Sequence, residues 1–227
     1  MQNYFEKINS DNKFARTVSH EDFERNTDWI NQTQSDGGAR RTGVNKKFGM
    51  VVHEWKINKD FDIKKILENM DEPLIEVAGP TPKGYYHFLE LKDLNKEIFV
   101  SNFKNPVTYY DGSILGELDF QADAQELPFK NGSVGAVFCS CIAPFKKNGL
   151  VEDQKEKTLE FRRKVVKEAL RVLKRKGFLI FSGLFPEDVH IFDNIGFGIK
   201  QFSIIESFKS YKEKLKMRNG YFILEKE

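Results

Sequence analysis

The feature that most constrains this chain is a series of short apolar runs, each cut off by glycine, proline or a polar cluster. Leu74-Ile-Glu-Val-Ala78 is one, and it stops at Gly79-Pro-Thr-Pro82. Runs of that length, rich in β-branched residues, read as buried strands. Segments 97–101, 135–140, 178–181, 199–205 and 221–224 read the same way. Helical patterns lie between them. From Leu159 to Leu173, Leu159, Val166, Leu170 and Leu173 share one face, while Arg162, Arg163, Lys167 and Arg171 ride elsewhere. Tyr85 to Leu94 predicts a short helix, as does the spacing of Ile63, Ile66, Leu67 and Met70. Strands alternating with helices predict an α/β fold, with a mostly parallel sheet covered by helices on both faces. The last two strands have no room for a long helix between them, so they should form an antiparallel pair at one edge.

The first 70 residues differ in character, which predicts an N-terminal extension over 1–70, a possible lid or acceptor-binding segment, and an α/β domain over 71–227. Asn9 to Gln34 is polar, with apolar residues at irregular intervals. Ser35-Asp-Gly-Gly-Ala-Arg-Arg-Thr-Gly43 reads as a loop, because adjacent glycines disfavour helix and strand alike. Free backbone N–H groups beside Arg40 and Arg41 could suit an anion there; the plainer reading is a surface loop. Phe48 to Val52 is a short apolar segment.

Charge is nearly balanced, at 36 Lys+Arg against 34 Asp+Glu, which argues against a dedicated nucleic-acid binder. An apolar share of 40% supports a sizeable core. No apolar run approaches the roughly 18–20 residues that span a bilayer. The opening residues lack the apolar stretch of a signal peptide, so the expectation is a soluble, cytoplasmic protein. The two cysteines, Cys139 and Cys141, flank a serine inside an apolar run and read as reduced packing residues. No His/Cys/acid cluster has ligand spacing, so no metal is implied.

In an open α/β sheet, ligands bind at the carboxyl ends of the strands. Three places qualify. Gly79 and Gly84 bracket a turn after the first strand, but Pro80 and Pro82 remove N–H donors, which counts against a phosphate cradle. Asn102 ends the second strand where a ribose-binding acid commonly stands; its amide both accepts and donates. Asp123 precedes the third strand, where a carboxylate can accept from an exocyclic amine.

Several pieces together resemble the class I S-adenosylmethionine-dependent methyltransferases, especially the small-molecule, type 11-like kind. Ile75-Glu-Val-Ala-Gly-Pro-Thr-Pro-Lys-Gly84 stands where that family has Glu/Asp-x-Gly-x-Gly-x-Gly. Asp123-Ala-Gln-Glu-Leu-Pro-Phe-Lys-Asn-Gly-Ser-Val134 is similar to its Asp-Ala-x-x-Leu-Pro-Phe-x-Asp-x-Ser-Phe segment. Glu168-Ala-Leu-Arg-Val-Leu-Lys-Arg-Lys-Gly177 is similar to its Glu-x-x-Arg-Val-Leu-Lys-Pro-Gly-Gly segment. The resemblance spans about 70–227 and implies a Rossmann-like fold and S-adenosylmethionine as cofactor. By position it implies that Glu76 orients the glycine loop and, through water, the methionine ammonium. Gly79, Thr81 and Gly84 would line methionine and ribose, and Asn102 would take the ribose hydroxyls. Asp123 would meet the adenine amine, Ala124 the adenine ring, and Ser140 the sulfonium end. Tyr85, Tyr86 or Phe103 could face the cation. Three departures stand out: Pro80 and Pro82 replace middle glycines, Asn102 replaces the ribose acid, and Arg175-Lys176-Gly177 replaces Pro-Gly-Gly.

The family has no universal catalytic residue, so the resemblance implies none. His20, His53, His87 and His190 are the histidine candidates for a base. The acceptor implied is a small molecule, gripped by the extension and by Ile142 to Leu150. Ala143-Pro-Phe145 does not match the signature of amino-group methylation on nucleobases. Two rival readings are a non-catalytic scaffold on the same fold and a nucleic-acid-binding methyltransferase. The basic stretches Lys155–Lys176 and Lys209–Arg218 motivate the latter.

Overall fold

The computed structural model describes residues 25–33, 37–45, 50–79, 94–103, 107–108, 114–116, 118–140, 154–184, 186–208 and 216–227. Three strands come first: β1 (Thr27–Thr33), β2 (Ala39–Asn45) and β3 (Met50–Lys56). Helix α1 (Ile63–Glu68) leads into β4 (Leu74–Val77), β5 (Ile98–Asn102), the short pair β6 (Val107–Thr108) and β7 (Ile114–Gly116), then β8 (Phe120–Gln121) and β9 (Val134–Ser140). Helix α2 (Gln154–Val172) precedes β10 (Leu173–Leu184), a 3-10 helix (Pro186–Phe192), β11 (Phe197–Phe208) and β12 (Lys216–Lys226).

Ten strands form one sheet in the order β1-β2-β3-β11-β12-β10-β9-β4-β5-β8. The run β10-β9-β4-β5-β8 is parallel throughout. The chain builds outward from β4 to β5 and β8, then returns to β9 on the other flank of β4. That reversal is the switch point of a doubly wound α/β sheet. The closing strands β11 and β12 pair antiparallel at the far flank of β10, as expected.

Each sheet face carries a helix because each element has one apolar stripe. Asp62 caps α1 by accepting from the Lys65 N–H at 3.0 Å, and Ile63 and Leu67 point inward with Met70. They cover Leu74, Phe138, Ile180 and Ile223 on one face. On the other face, Val165, Val166, Ala169 and Val172 of α2 cover Val77, Val137, Leu179 and Phe181. Buried on both sides, β4 and β9 have no polar face to show, so their sequences read as continuous apolar runs. Cys139 is buried among these groups as a packing residue.

The N-terminal strands differ from the loop expected over Ser35–Gly43. Ala39–Asn45 is a strand, hydrogen-bonded to β1 on one side and β3 on the other. Pairing on both edges outweighs the poor strand propensity of Gly43, which lies in register between Trp29 and Val52. The backbone N–H groups of residues 39–43 are therefore committed to the ladder, while Gly37 and Gly38 precede the strand and Ser35 and Asp36 lie outside the described residues. Strand β3 then pairs with β11, so the first segment extends the main sheet. The helix expected over Tyr85–Leu94 lies outside the described residues but for Leu94, and so does the loop from Ile142 to Leu150.

One ion pair ties α2 to the loop after β8. Arg171 donates to both Glu168 oxygens, at 2.8 and 2.6 Å. It also donates to the carbonyls of Phe129 (2.9 Å) and Leu127 (3.0 Å) and to Asn131 Oδ1 (2.7 Å). Glu168 accepts from the Leu127 N–H at 2.7 Å. The Arg171 hydrogen bonds hold the Glu168 carboxyl below its ordinary pKa, with the Leu127 N–H adding to the effect against the cost of burial. Glu72 is held low mainly by its hydrogen bond from Lys174. For Glu225, burial pushes upward but hydrogen bonds from Lys200 and Lys176 together outweigh it.

Two outcomes are expected. Replacing Glu168 by Gln should cost about 1.5–3 kcal/mol, the range for a hydrogen bond to a charged group, measured by urea unfolding. All three carboxylates have folded pKa values below their unfolded ones. Their stabilisation is therefore complete above the unfolded value, near about 4.3, and disappears as pH falls through the folded values. Melting temperature should thus decline below about pH 4.5, and less steeply in Glu168→Gln than in the wild type.

Candidate functional site

The switch point fixes where a ligand can enter: at the tips of β4 and β9, flanked by β5 and β8. The β4 tip is built from Glu76, Ala78 and Gly79. Glu76 is 5% exposed, an ionisable side chain inside an apolar strand. A Cβ added to Gly79 would lie 2.7 Å from Glu76 Cδ and 2.8 Å from Val100 Cγ1, so the backbone there is packed directly on the Glu76 carboxyl group. Only glycine fits that approach.

Hydrogen bonds stitch this turn to β5. The Gly79 N–H donates to the Ser101 carbonyl at 2.9 Å, and the Ser101 hydroxyl donates to the Glu76 carbonyl at 3.0 Å. Asn102 Nδ2 donates to the Gly79 carbonyl at 2.6 Å. The stitching continues into β8, where the Ala122 N–H donates to the Asn102 carbonyl at 3.0 Å. Asp123 follows at once. Its Oδ1 accepts from the Gln125 N–H at 2.9 Å, closing a local turn, and from Gln125 Nε2 at 3.3 Å. Ala124 turns the other way, into the core beneath α2.

Among the residues expected at the site, Glu76, Gly79, Asn102 and Asp123 thus share one rim, formed by the tips of three neighbouring strands. The backbone of Ser140 ends β9 beside them, one residue beyond the Val77–Cys139 pairing. Phe103 follows Asn102 and is 64% exposed. Thr81, Gly84, Tyr85 and Tyr86 lie outside the described residues, as do His20 and His87. His53 is on β3, in the antiparallel extension, and His190 is on the 3-10 helix that follows β10. No group of three or more His, Cys, Asp or Glu among the described residues could hold a metal.

Ala78 is the residue the sequence reading passed over. Its φ of 58° is left-handed, a conformation that favours glycine. Counting from Glu76, the Glu/Asp-x-Gly spacing puts the family's first glycine at this position, and that count was the available signal. The structure keeps the glycine conformation while the sequence has alanine. The Glu168–Arg171 clamp gives a second reading of the motifs. It grips Leu127, Phe129 and Asn131, so the Leu-Pro-Phe and Glu-x-x-Arg segments are two halves of one contact that fixes the loop carrying Asp123.

A concavity of about 610 Å³ lies elsewhere, between Gly132, Leu170, Gly196 and Lys226. It is at the opposite end of the parallel strands from the β4 tip, where Val134 begins β9.

The fold and the rim define a class: a doubly wound α/β protein with a tight acidic turn at its switch point. Residues 101–181 match the family model of the methyltransferase domain. The match takes in Asn102, Asp123, Ala124 and Ser140 but begins after the β4 turn. No curated protein sequence matches the chain significantly. Among solved structures, a SAM-dependent methyltransferase of Methanosarcina mazei is similar at 12% identity and TM-score 0.45, over 73% of this chain and 97% of that one. TrmN of Thermus thermophilus is similar at 16% identity and TM-score 0.43, over 72% of this chain and 47% of that one. NSun6 of Pyrococcus horikoshii, solved with SFG, is similar at 14% identity and TM-score 0.44, over 72% and 50%. No helix among the described residues is long and apolar enough to cross a membrane.

Ala78→Gly should relieve most of the roughly 1–2 kcal/mol of left-handed strain and raise the melting temperature by about 2–4 °C. Gly79→Ala should do the reverse, by about 1–3 kcal/mol, because Glu76 and Val100 must move. Differential scanning calorimetry of both variants checks the two signs.

Proposed function

We propose that this chain is an S-adenosylmethionine-dependent methyltransferase acting on a small molecule. The observation that carries the reading is the β4 turn: a buried acid under a close-packed Gly79, with left-handed backbone at Ala78, placed at the switch point. The chemistry of the rim suits the cofactor. Asp123 is an acceptor for an exocyclic amine, and an ionised carboxylate has about four lone-pair sites, more than its contacts to Gln125 use. Asn102 offers an amide at the ribose position, and the backbone at Gly79 allows close approach. In this reading Glu76 orients the turn and, through water, the methionine ammonium; Gly79, Thr81 and Gly84 line methionine and ribose. Ser140 borders the sulfonium end, and Ala124, whose side chain packs into the core, meets the adenine only through its backbone. Phe103 offers an exposed ring face near the cation.

When bound, the cofactor supplies a methyl group already activated by positive charge on sulfur. The protein's part is to hold the acceptor in line and to exclude water. The rim suits that role because its turn is held by hydrogen bonds to β5. The extension over 1–70 and the Ile142–Leu150 segment are proposed to grip the acceptor, and the protein is proposed to work in the cytoplasm.

A second reading, a non-catalytic binding protein on the same fold, is favoured by one observation. Asn102 and Asp123 both direct hydrogen bonds to the protein itself. Calorimetric titration with S-adenosylmethionine and S-adenosylhomocysteine separates the two. Micromolar binding, weakened at least about tenfold in Asp123→Ala with its melting temperature preserved, supports the methyltransferase. Well-folded protein that binds neither compound overturns it in favour of the scaffold.

A further inference from the structure

We infer that the antiparallel extension carries a second ligand site, for a small planar molecule with a carboxylate or phosphate group. The site is a groove of about 360 Å³ across β1, β2, β3 and β11. Ladder register builds it from two rows on one sheet face. Gln32, Arg40, Trp55 and Phe202 are aligned partners across the four strands. Ile30, Thr42 and His53 form the next row. Rows are about 7 Å apart and neighbouring strands about 4.8 Å, so the floor has room for a bicyclic ring.

The two arginines singled out in the sequence divide between the faces, because successive strand residues point opposite ways. Arg41 alternates to the other face and pairs with Glu54, which is buried at 6% exposure, and both residues also contribute to the groove's lining. Arg40 turns into the groove, where its guanidinium has no ion pair or hydrogen bond among the described residues. The carboxylate of Asp28 on the same face is two rows away, about 13 Å along the strand.

The apolar side of the groove is equally specific. Trp55 and Phe202 have ring centroids 5.3 Å apart, tilted by 44°. Phe202 stacks in turn on Phe222 of the core at 6.2 Å and 24°. Phe202 is therefore anchored from the side by its cross-strand neighbour, and both groove rings are half-exposed. Ile30 stands at the rim, 64% exposed. A half-exposed aromatic pair beside an uncompensated cation matches a flat ring bearing an anionic group: the ring covers Trp55, and the anion meets Arg40. The Thr42 hydroxyl, 3.3 Å from His53 Nδ1, adds a polar contact on the second row. The groove lies beyond β10 and β12 from the strand-tip rim, so this inference does not depend on cofactor binding there.

The test uses the full chain and its tryptophan fluorescence, with indole-3-acetate, adenosine 5′-monophosphate and a single-stranded decanucleotide as probes. The expected result is saturable quenching by at least one of the two small probes, with a dissociation constant at or below about 0.1 mM. Arg40→Gln should weaken it at least about tenfold, while Arg175→Gln, an exposed cation outside the groove, leaves it unchanged. Trp55→Phe should remove the signal, with calorimetry reporting the residual binding. Preference between the two small probes tells an aromatic acid from a nucleotide. Binding of neither up to about 1 mM, or binding indifferent to Arg40→Gln, overturns the inference. Decanucleotide binding more than about tenfold tighter than the monophosphate also overturns it, in favour of a nucleic-acid surface.

Discussion

Glu168 and Arg171, one turn apart on a single helix, hold the loop on which the candidate site depends. The helix face that buries Val165, Val166 and Ala169 would seat α2 on the sheet without them. It would not fix the segment from Ala122 to Ser133, which has little regular structure of its own. The pair does so by giving that segment backbone partners: one N–H and two carbonyls are satisfied by charged groups. Buried peptide groups need such partners, and a loop can lie against a core only where they exist. Asp123 keeps its place because residues four to eight positions further on are pinned. The same helix therefore supports both the core and the rim, and a fault in the clamp would reach the site through the backbone.

The core strands were legible because burial on both faces leaves a plain mark, an unbroken apolar run that stops at glycine or a polar cluster. β4, β9 and β10 have that mark, and so does the antiparallel ending. The N-terminal strands lack it. Thr-Asp-Trp-Ile-Asn-Gln-Thr and Ala-Arg-Arg-Thr-Gly-Val-Asn carry no clean alternation and include residues that favour turns. What makes them strands is the pairing of β3 with the long edge of β11, a contact between segments about 150 residues apart. Local propensity has no access to such a contact. At the rim, Asn102 was legible from its position after a strand and Asp123 from its position before one. Ala78 was not, since alanine gives no sign of a positive φ; only the fixed count from Glu76 reveals it.

The extension changes what kind of sheet this is. Without β1–β3, β11 would be an edge strand of 12 residues, long and apolar enough to invite pairing with another chain. Covering it with β3 moves the edge outward to β1, a strand of seven residues. The cost is a sheet face over β1–β3 that α2 does not cover. Trp55, Phe202 and Ile30 are its result: side chains apolar enough for a core, placed where the core ends. Extending the sheet beyond the helices among the described residues is what creates a groove remote from the strand tips.

The departures at the β4 turn form one linked arrangement. Proline at 80 and 82 removes two backbone donors and stiffens the loop after Gly79. The Gly79 carbonyl accepts from Asn102 Nδ2 at 2.6 Å. A carboxylate at position 102 could not make that bond, because an ionised acid has no proton to donate and would face the carbonyl oxygen with like charge. An amide at 102 is thus compatible with the Gly79 carbonyl in a way that an acid is not. The amide instead holds the Gly79 turn in place. Preorganisation of this kind lowers the ordering cost of binding and offsets part of a weaker contact. The substitution of Asn for acid is therefore explained by the turn it supports.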